Sequence, residues 1–163
     1  MAAGGLIYTA QFQDISITNV VQDLIQLATA ATAAVLIHSI RVEFTPTIVS
    51  GVAQDVRLAL AIVQRSTVGT GGTGVTPSPV NPRNTVSAQS TVTRTVVTTQ
   101  GTLVNTLGSF NSSVIVPFER IYTPDQRVPV PASAATKVYS LFLAATNAAL
   151  PLTASLEMYF EEI

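Results

Sequence analysis

The chain has 163 residues and a formal net charge of −1, and 47% of its residues are hydrophobic while only 10% are charged. Ordinary soluble domains carry roughly 25% charged residues, so this surface holds little solubilising charge and we expect part of it to be covered. The hydrophobic content excludes intrinsic disorder, and the near-neutral charge offers no cluster of Lys and Arg for a nucleic acid.

Several protein classes are disfavoured by what the sequence lacks. It has no cysteine, which removes disulfides, thiol catalysis and cysteine-based zinc sites. The apolar run at residues 27–37 is too short for the roughly 20 residues of a membrane-spanning helix, and the first residues do not resemble a signal peptide. We therefore expect a single domain, residues 1–163, made in the cytoplasm and binding neither membrane nor nucleic acid.

Three segments in the first half show the two-residue period of half-buried strands, namely residues 6–12, 35–44 and 56–65. A short strand at residues 15–17 follows the first. In the third segment Val56, Leu58, Leu60 and Ile62 alternate with Arg57, Ala59, Ala61 and Arg65, which is the strongest strand pattern in the chain. In the second, the predicted apolar face carries Leu36, His38, Ile40, Val42 and Phe44.

Residues 19–34 fit two structures. Thr18 or Asn19 could cap a helix, and apolar residues recur behind them at helical spacing. Alternation also fits the middle of the segment, where Asp23, Ile25 and Leu27 would share one face of a strand. The pattern favours a strand slightly and leaves the helix open.

Four further strands are expected in the second half, at residues 92–99, 113–116, 137–145 and 152–162. Turn residues lie between the apolar runs, at 100–101, 108, 111–112, 123–125 and 129–131. Several short strands with this punctuation indicate an all-β fold, a β-sandwich or a jelly-roll-like domain.

A long Gly- and Pro-rich segment spans residues 66–82. Its four glycines and three prolines exclude a central strand, so we expect a long exposed loop or arm. No acidic residue occurs from Ser66 to Phe118, and Arg83 and Arg94 are the only charged residues there. We therefore expect the arm to dock on a neighbouring subunit.

Catalytic patterns are missing from the sequence. His38 is the only histidine, which leaves a hydrolytic triad without a clear base, and it falls in an apolar strand where a packed or rim role is commoner. Glu161 and Glu162 are strand neighbours and point to opposite faces, so they cannot form a glycosidase pair. The glycines at 69–74 lack the lysine of a phosphate-binding loop. We expect no catalytic residue, metal or cofactor, and no enzyme activity.

The positive residues suggest an interface. Lys137 is the only lysine beside seven arginines, and interfaces enrich Arg over Lys because a guanidinium is desolvated at lower cost. Residues 118–122 combine aromatic and charged side chains of the kind found at binding hot spots, although an ordinary strand edge would look the same. The candidate interface residues are Arg83, Arg94, Phe118, Arg120 and Tyr122.

A set of short motifs runs along the chain: YTAQF at residues 8–12, VQDL at 21–24, RLAL at 57–60, PSPVNP at 77–82 and LEMYFEE at 156–162. This set, with the Gly/Thr-rich stretch, resembles small virion structural proteins of tailed bacteriophages. The resemblance implies a capsid decoration (cement) protein with a β-sandwich or jelly-roll fold, a homotrimer that binds the major capsid protein or another virion protein. The alternative is a tail or fibre adhesin that binds carbohydrate, for which the absence of Trp is unfavourable.

Overall fold

The computed structural model describes residues 5–17, 21–46, 57–96, 99–133, 137–143 and 152–163. Within these ranges the chain forms twelve strands and no helix. The strands are β1 Leu6–Ile17, β2 Gln22–Ala28, β3 Val35–Pro46, β4 Arg57–Arg65, β5 Thr73–Val75, β6 Ser78–Pro79, β7 Thr91–Val96, β8 Leu103–Ser113, β9 Phe118–Ile121, β10 Val128–Val130, β11 Val138–Leu143 and β12 Leu152–Glu162.

The strands form two antiparallel sheets that pack together as a β-sandwich, which confirms the predicted fold class. Sheet A has the order β10-β3-β12-β1-β6, and β9 also pairs with β3. Sheet B has the order β5-β7-β2-β11-β4-β8. One hydrophobic core lies between the sheets, because side chains of both sheets belong to a single buried cluster. A stacked pair, Tyr8 and Phe160 with ring centroids 5.8 Å apart, lies within it.

The strongest sequence patterns were read correctly. Residues 152–162 form β12, whose burial alternates along the strand with Leu156, Met158 and Phe160 inside. In β4, Leu58, Leu60 and Ile62 are buried while Arg57 is exposed. Val56, which the same prediction included, lies outside the described residues. Residues 6–12 and 15–17 belong to one strand, β1, which an irregularity between Phe12 and Ile15 divides.

The predicted apolar face of β3 is wrong near its start. β12 pairs Tyr159 with Ser39 and then Phe160 with Ile37, so His38 is an extra residue in a β-bulge. A bulge shifts the alternation by one residue. Val35 and Ile37 are therefore buried, whereas Leu36 and His38 fall on the outer face and are only half-buried.

The undecided segment contains a strand, β2, at Gln22–Ala28, while Thr18 and Asn19 lie outside the described residues. All seven residues of β2 are buried, because it is a central strand covered on both faces. Asp23 and Ile25 do not share a face as expected. They pair with the consecutive residues Phe142 and Leu141, which point to opposite faces.

The second half departs further from expectation. β7 and β11 lie within the predicted strands 92–99 and 137–145, except that β7 begins one residue earlier, at Thr91. Residues 114–116 are bends, so the strand predicted at 113–116 is wrong. The strand in this region is β8, which ends at Ser113. It has eleven residues and includes Gly108, Asn111 and Ser112, which the sequence pattern predicts as turns. Those residue types are tolerated here because β8 is an edge strand.

The structure shows no long loop over the Gly/Pro-rich segment. Thr73–Val75 forms β5, which pairs with β7 at the edge of sheet B, and Ser78–Pro79 forms β6, which pairs with β1 at the edge of sheet A. Edge positions accept short strands and proline, whereas central positions do not. The segment thus crosses from one sheet to the other and pairs with its own chain.

Candidate interaction surface

Among the described residues, no strand covers the edges of the two sheets on the side opposite the Gly/Pro-rich crossing. There β8 is the last strand of sheet B, and β9 lies beside β3 at the edge of sheet A. Residues 114–117 connect the two strands, and the rings of Phe110 and Phe118 meet between them, with centroids 5.1 Å apart. We call residues 103–122 the β8–β9 side.

Apolar side chains are concentrated on the surface of the β8–β9 side. It carries six of the thirteen exposed large hydrophobic side chains among the described residues, namely Leu103, Val104, Leu107, Ile115, Val116 and Ile121. The exposed fraction reaches 54% at Leu103, 63% at Ile115 and 66% at Ile121. Clustered exposed apolar residues of this kind mark interaction sites in soluble proteins.

Charge is almost absent from the same surface. From Thr95 to Phe118 the sequence has no charged residue, so β8 and its connection to β9 are uncharged throughout. Charged residues are depleted at the centres of protein interfaces. The β8–β9 side therefore has the composition of an interface core rather than of a solvated surface.

An aromatic cluster with one arginine borders this surface. The Arg120 guanidinium lies 6.0 Å from the ring centroid of Phe110 and 5.5 Å from that of Tyr122, as in cation–π pairs. The hydroxyls of Tyr122 and Tyr139 are 3.2 Å apart, and burial raises the pKa of Tyr139 well above its ordinary value. Packing and hydrogen bonding thus hold these aromatic rings in a cluster. They do not form the flat aromatic platform on which a sugar would stack.

The structure brings together three of the five predicted interface residues. Phe118, Arg120 and Tyr122 lie in this aromatic cluster. Arg94 is elsewhere, on β7, with its guanidinium 5.9 Å from the ring centroid of Phe12. Arg83 is exposed in the turn after β6, where its backbone N–H donates to the Asn81 side chain.

The exposed apolar residues of β8 were missed by sequence reasoning. Gly108 and the pair Asn111 and Ser112 were read as turns, which broke up the strand that carries Leu103, Val104 and Leu107. One signal could have found them. The uncharged run from Thr95 to Phe118 is the longest feature of its kind in the second half, and it covers β8 completely.

Two shallow cavities adjoin β8 on the outer face of sheet B, with volumes of about 460 Å³ and about 300 Å³. Both are lined by Ala61, Ser109 and Phe142. Neither is lined by a His, Asp or Glu side chain, so neither offers a general acid or base. Arg65 also lines the larger cavity, and its guanidinium forms an ion pair with a buried carboxylate.

That partner is Asp23. Its two carboxylate oxygens accept hydrogen bonds of 2.8 and 2.7 Å from Arg65 Nε and Nη2, and the carboxylate also accepts one from the Gln26 amide. Burial raises the pKa of Asp23, while the hydrogen bonds from Arg65 and Gln26 act in the opposite direction. This bidentate, desolvated pair fits a structural role. Arg65 lies on the face of β4 predicted for it, opposite Ile62, but its side chain is buried there.

Arg65 and Gln26, which both bind Asp23, also form hydrogen bonds with the backbone of two loops over sheet B. Arg65 Nη1 donates to the Gly101 carbonyl at 3.1 Å, and Gln26 donates to the Gln100 carbonyl at 3.0 Å. The Gly69 N–H donates to the Gln26 side-chain oxygen at 3.0 Å. The start of the Gly/Pro-rich segment and the connection into β8 are therefore held by the same three side chains.

The remaining charged group of note is Glu161, on the outer face of sheet A. Its Oε2 lies 3.0 Å from His38 Nε2 and 3.3 Å from Arg127 Nη1. Across the described ranges, no group of three His, Asp or Glu side chains could hold a metal ion. In the same part of the chain, no helix has the length and hydrophobicity needed to cross a membrane.

Fold and surface together define a class: an antiparallel β-sandwich with one uncharged, apolar edge. No particular family can be added to that class, because no family model, curated protein or solved structure matches the chain.

Proposed function

We propose that this chain is a non-enzymatic structural protein of a virus particle, and that it acts as a decoration protein on the head of a tailed bacteriophage. In this function it binds copies of itself and a larger shell. The observation that carries the proposal is the β8–β9 side, where six large apolar side chains are exposed on a stretch with almost no charge.

The energetics of association support an assembly function for this surface. Stable interfaces bury roughly 800 Å² per partner, and burial of apolar area is the main favourable contribution. Leaving six large side chains in water is unfavourable for a lone domain, whereas a shell subunit would cover them. The virion setting itself comes from the resemblance of the short sequence motifs.

The test is attachment to particles. Purified protein is mixed with phage capsids that lack it, and sedimentation separates bound from free protein. Ile121→Asp places a charge on the exposed face of β9, where Ile121 is 66% exposed, and we expect it to abolish attachment while the thermal melt stays unchanged. Val86→Asp is the control, since Val86 is 53% exposed but lies outside the β8–β9 side.

Three outcomes would contradict the proposal: no attachment of the wild-type protein, equal attachment of both variants, or loss of attachment in the control alone. A glycan array adds a separate check. Specific binding to a glycan would replace the decoration function with that of a carbohydrate-binding adhesin.

A further inference from the structure

The edges of the two sheets are protected unequally. β5 has three residues and includes Gly74, β6 has two and includes Pro79, and β10 has three and includes Pro129. β9 has four residues and carries both Glu119 and Arg120. Short length, proline and charge are the devices that keep sheet edges from pairing with other chains.

β8 has none of these three devices. It has eleven residues, no proline and no charged side chain. Its only irregularities are the two register shifts against β4, which leave Val104 and Leu107 without a partner. From Gly108 to Ser112 the pairing with β4 is regular, and no described strand pairs with the other edge of this stretch. That edge is the one that a further strand would extend.

We propose that this edge pairs with β8 of a second copy of the chain, in antiparallel orientation about a two-fold axis at Phe110. The inference rests on the proposed use of the β8–β9 side for assembly, and it names the partner. In a continuous sheet, opposing residues must lie on the same face, so the axis has to pass through a residue. With Phe110 at the axis, Gly108 lies opposite Ser112, and Ser109 lies opposite Asn111.

Self-complementarity favours a second copy over a different partner. The pairing stretch is uncharged, so two copies bring no like charges together, whereas a charged strand would find no countercharge. Its outward residues are small and polar, which permits the strand spacing of about 4.8 Å.

The contact would join two six-stranded sheets into one sheet of twelve strands. The assembly stops at two subunits, because a two-fold interface uses the same surface on both of them. We therefore expect a dimer in solution, with twice the mass of the 17.1 kDa chain. This differs from the trimer that the phage resemblance implies, so the measured mass decides between them.

The sharpest test is a charge swap at Ser109 and Asn111, which are both exposed on the outer face. The double variant Ser109→Lys/Asn111→Lys places like charges opposite each other twice, and we expect sedimentation velocity to give a monomer. The matched variant Ser109→Lys/Asn111→Glu changes the same positions but places opposite charges across the axis, and we expect it to stay a dimer. Circular dichroism checks that both variants fold.

Either a wild-type monomer or trimer, or equal behaviour of the two double variants, would overturn the proposal. The measurement contains no capsid, and Ile121→Asp leaves residues 108–113 intact. Failure of the pairing therefore leaves capsid attachment open, and failure of attachment leaves the pairing open.

Discussion

The two sides of the sandwich differ in the strands that form their sheet edges. On the β5–β6 side, the Gly/Pro-rich crossing ends both sheets with strands of three and two residues. Residues further along the segment continue the cover, since the Val80 N–H donates to the Ile7 carbonyl and Glu162 accepts from the N–H groups of Gln89 and Ser90. On the β8–β9 side, a strand of eleven residues ends sheet B without any such cover among the described residues.

This difference shows what the Gly/Pro-rich segment does. Its composition predicts an arm that docks on a neighbour, and the structure shows that two parts of it pair with the chain's own strands at the edges of both sheets. The candidate interaction surface lies in a different stretch, which looks like turns and loops in the sequence. The uncharged run from Thr95 to Phe118 covers β8 rather than the crossing.

The largest effect is expected where β8 rests on the core. Leu58 pairs with Ser112 of β8 and is completely buried, whereas its neighbour Arg57 is exposed. Leu58→Asp puts an unpaired charge in the core and should unfold the domain, at a cost of about 4 kcal/mol or more. Arg57→Ala should leave the melting temperature within a few degrees. Similar shifts in thermal melts of the two variants would mean that the inner and outer faces are wrongly assigned.

A smaller but still large effect is expected at the buried pair that fastens both loops. Asp23→Ala leaves the Arg65 guanidinium buried without its carboxylate, which should cost about 3–5 kcal/mol. Replacing both partners, as in Asp23→Leu/Arg65→Met, should cost less because no charge is left unpaired. Chemical denaturation of the three proteins measures this order. If the double variant were the least stable, the pair would be a net source of stability.

The smallest effect on stability is expected from two glycine substitutions, one in the connection to β8 and one in β5. Gly101, which leads into β8, has a φ of +80°, and an added Cβ would lie 2.2 Å from the Thr67 carbonyl oxygen. Gly101→Ala should therefore destabilise the fold by about 1–3 kcal/mol. Gly74 in β5 has nothing within 4 Å of an added Cβ, so Gly74→Ala should be close to neutral. Equal losses in urea titrations would show that the crossing is as tightly constrained as the connection to β8.

The fold class followed from alternation wherever strands were regular and half-buried, as in β4 and β12. Alternation failed at bulges, because one inserted residue at His38 inverts the face of every residue before it in the strand. It also could not place Asp23, whose face depends on a register shift against β11. Such shifts are set by pairing with distant strands, and a local pattern carries no information about them.

The candidate surface was only partly predictable for a similar reason. The aromatic cluster was found because Phe118, Arg120 and Tyr122 are close in sequence. Arg94 was grouped with them on charge alone, yet β7 carries it to the other side of the molecule. β8 was overlooked because edge strands relax the residue preferences on which turn prediction depends.

The crossing between β5 and β6 also limits how far the two sheets can move apart. It joins one edge of sheet A to one edge of sheet B through two residues, 76 and 77, and residues 114–117 join β8 to β9 at the opposite edges. The sheets therefore cannot separate at either side unless strand pairing is lost first. A neighbour paired with β8 would add to that pairing, so assembly would slow unfolding of each subunit without adding any contact inside its core.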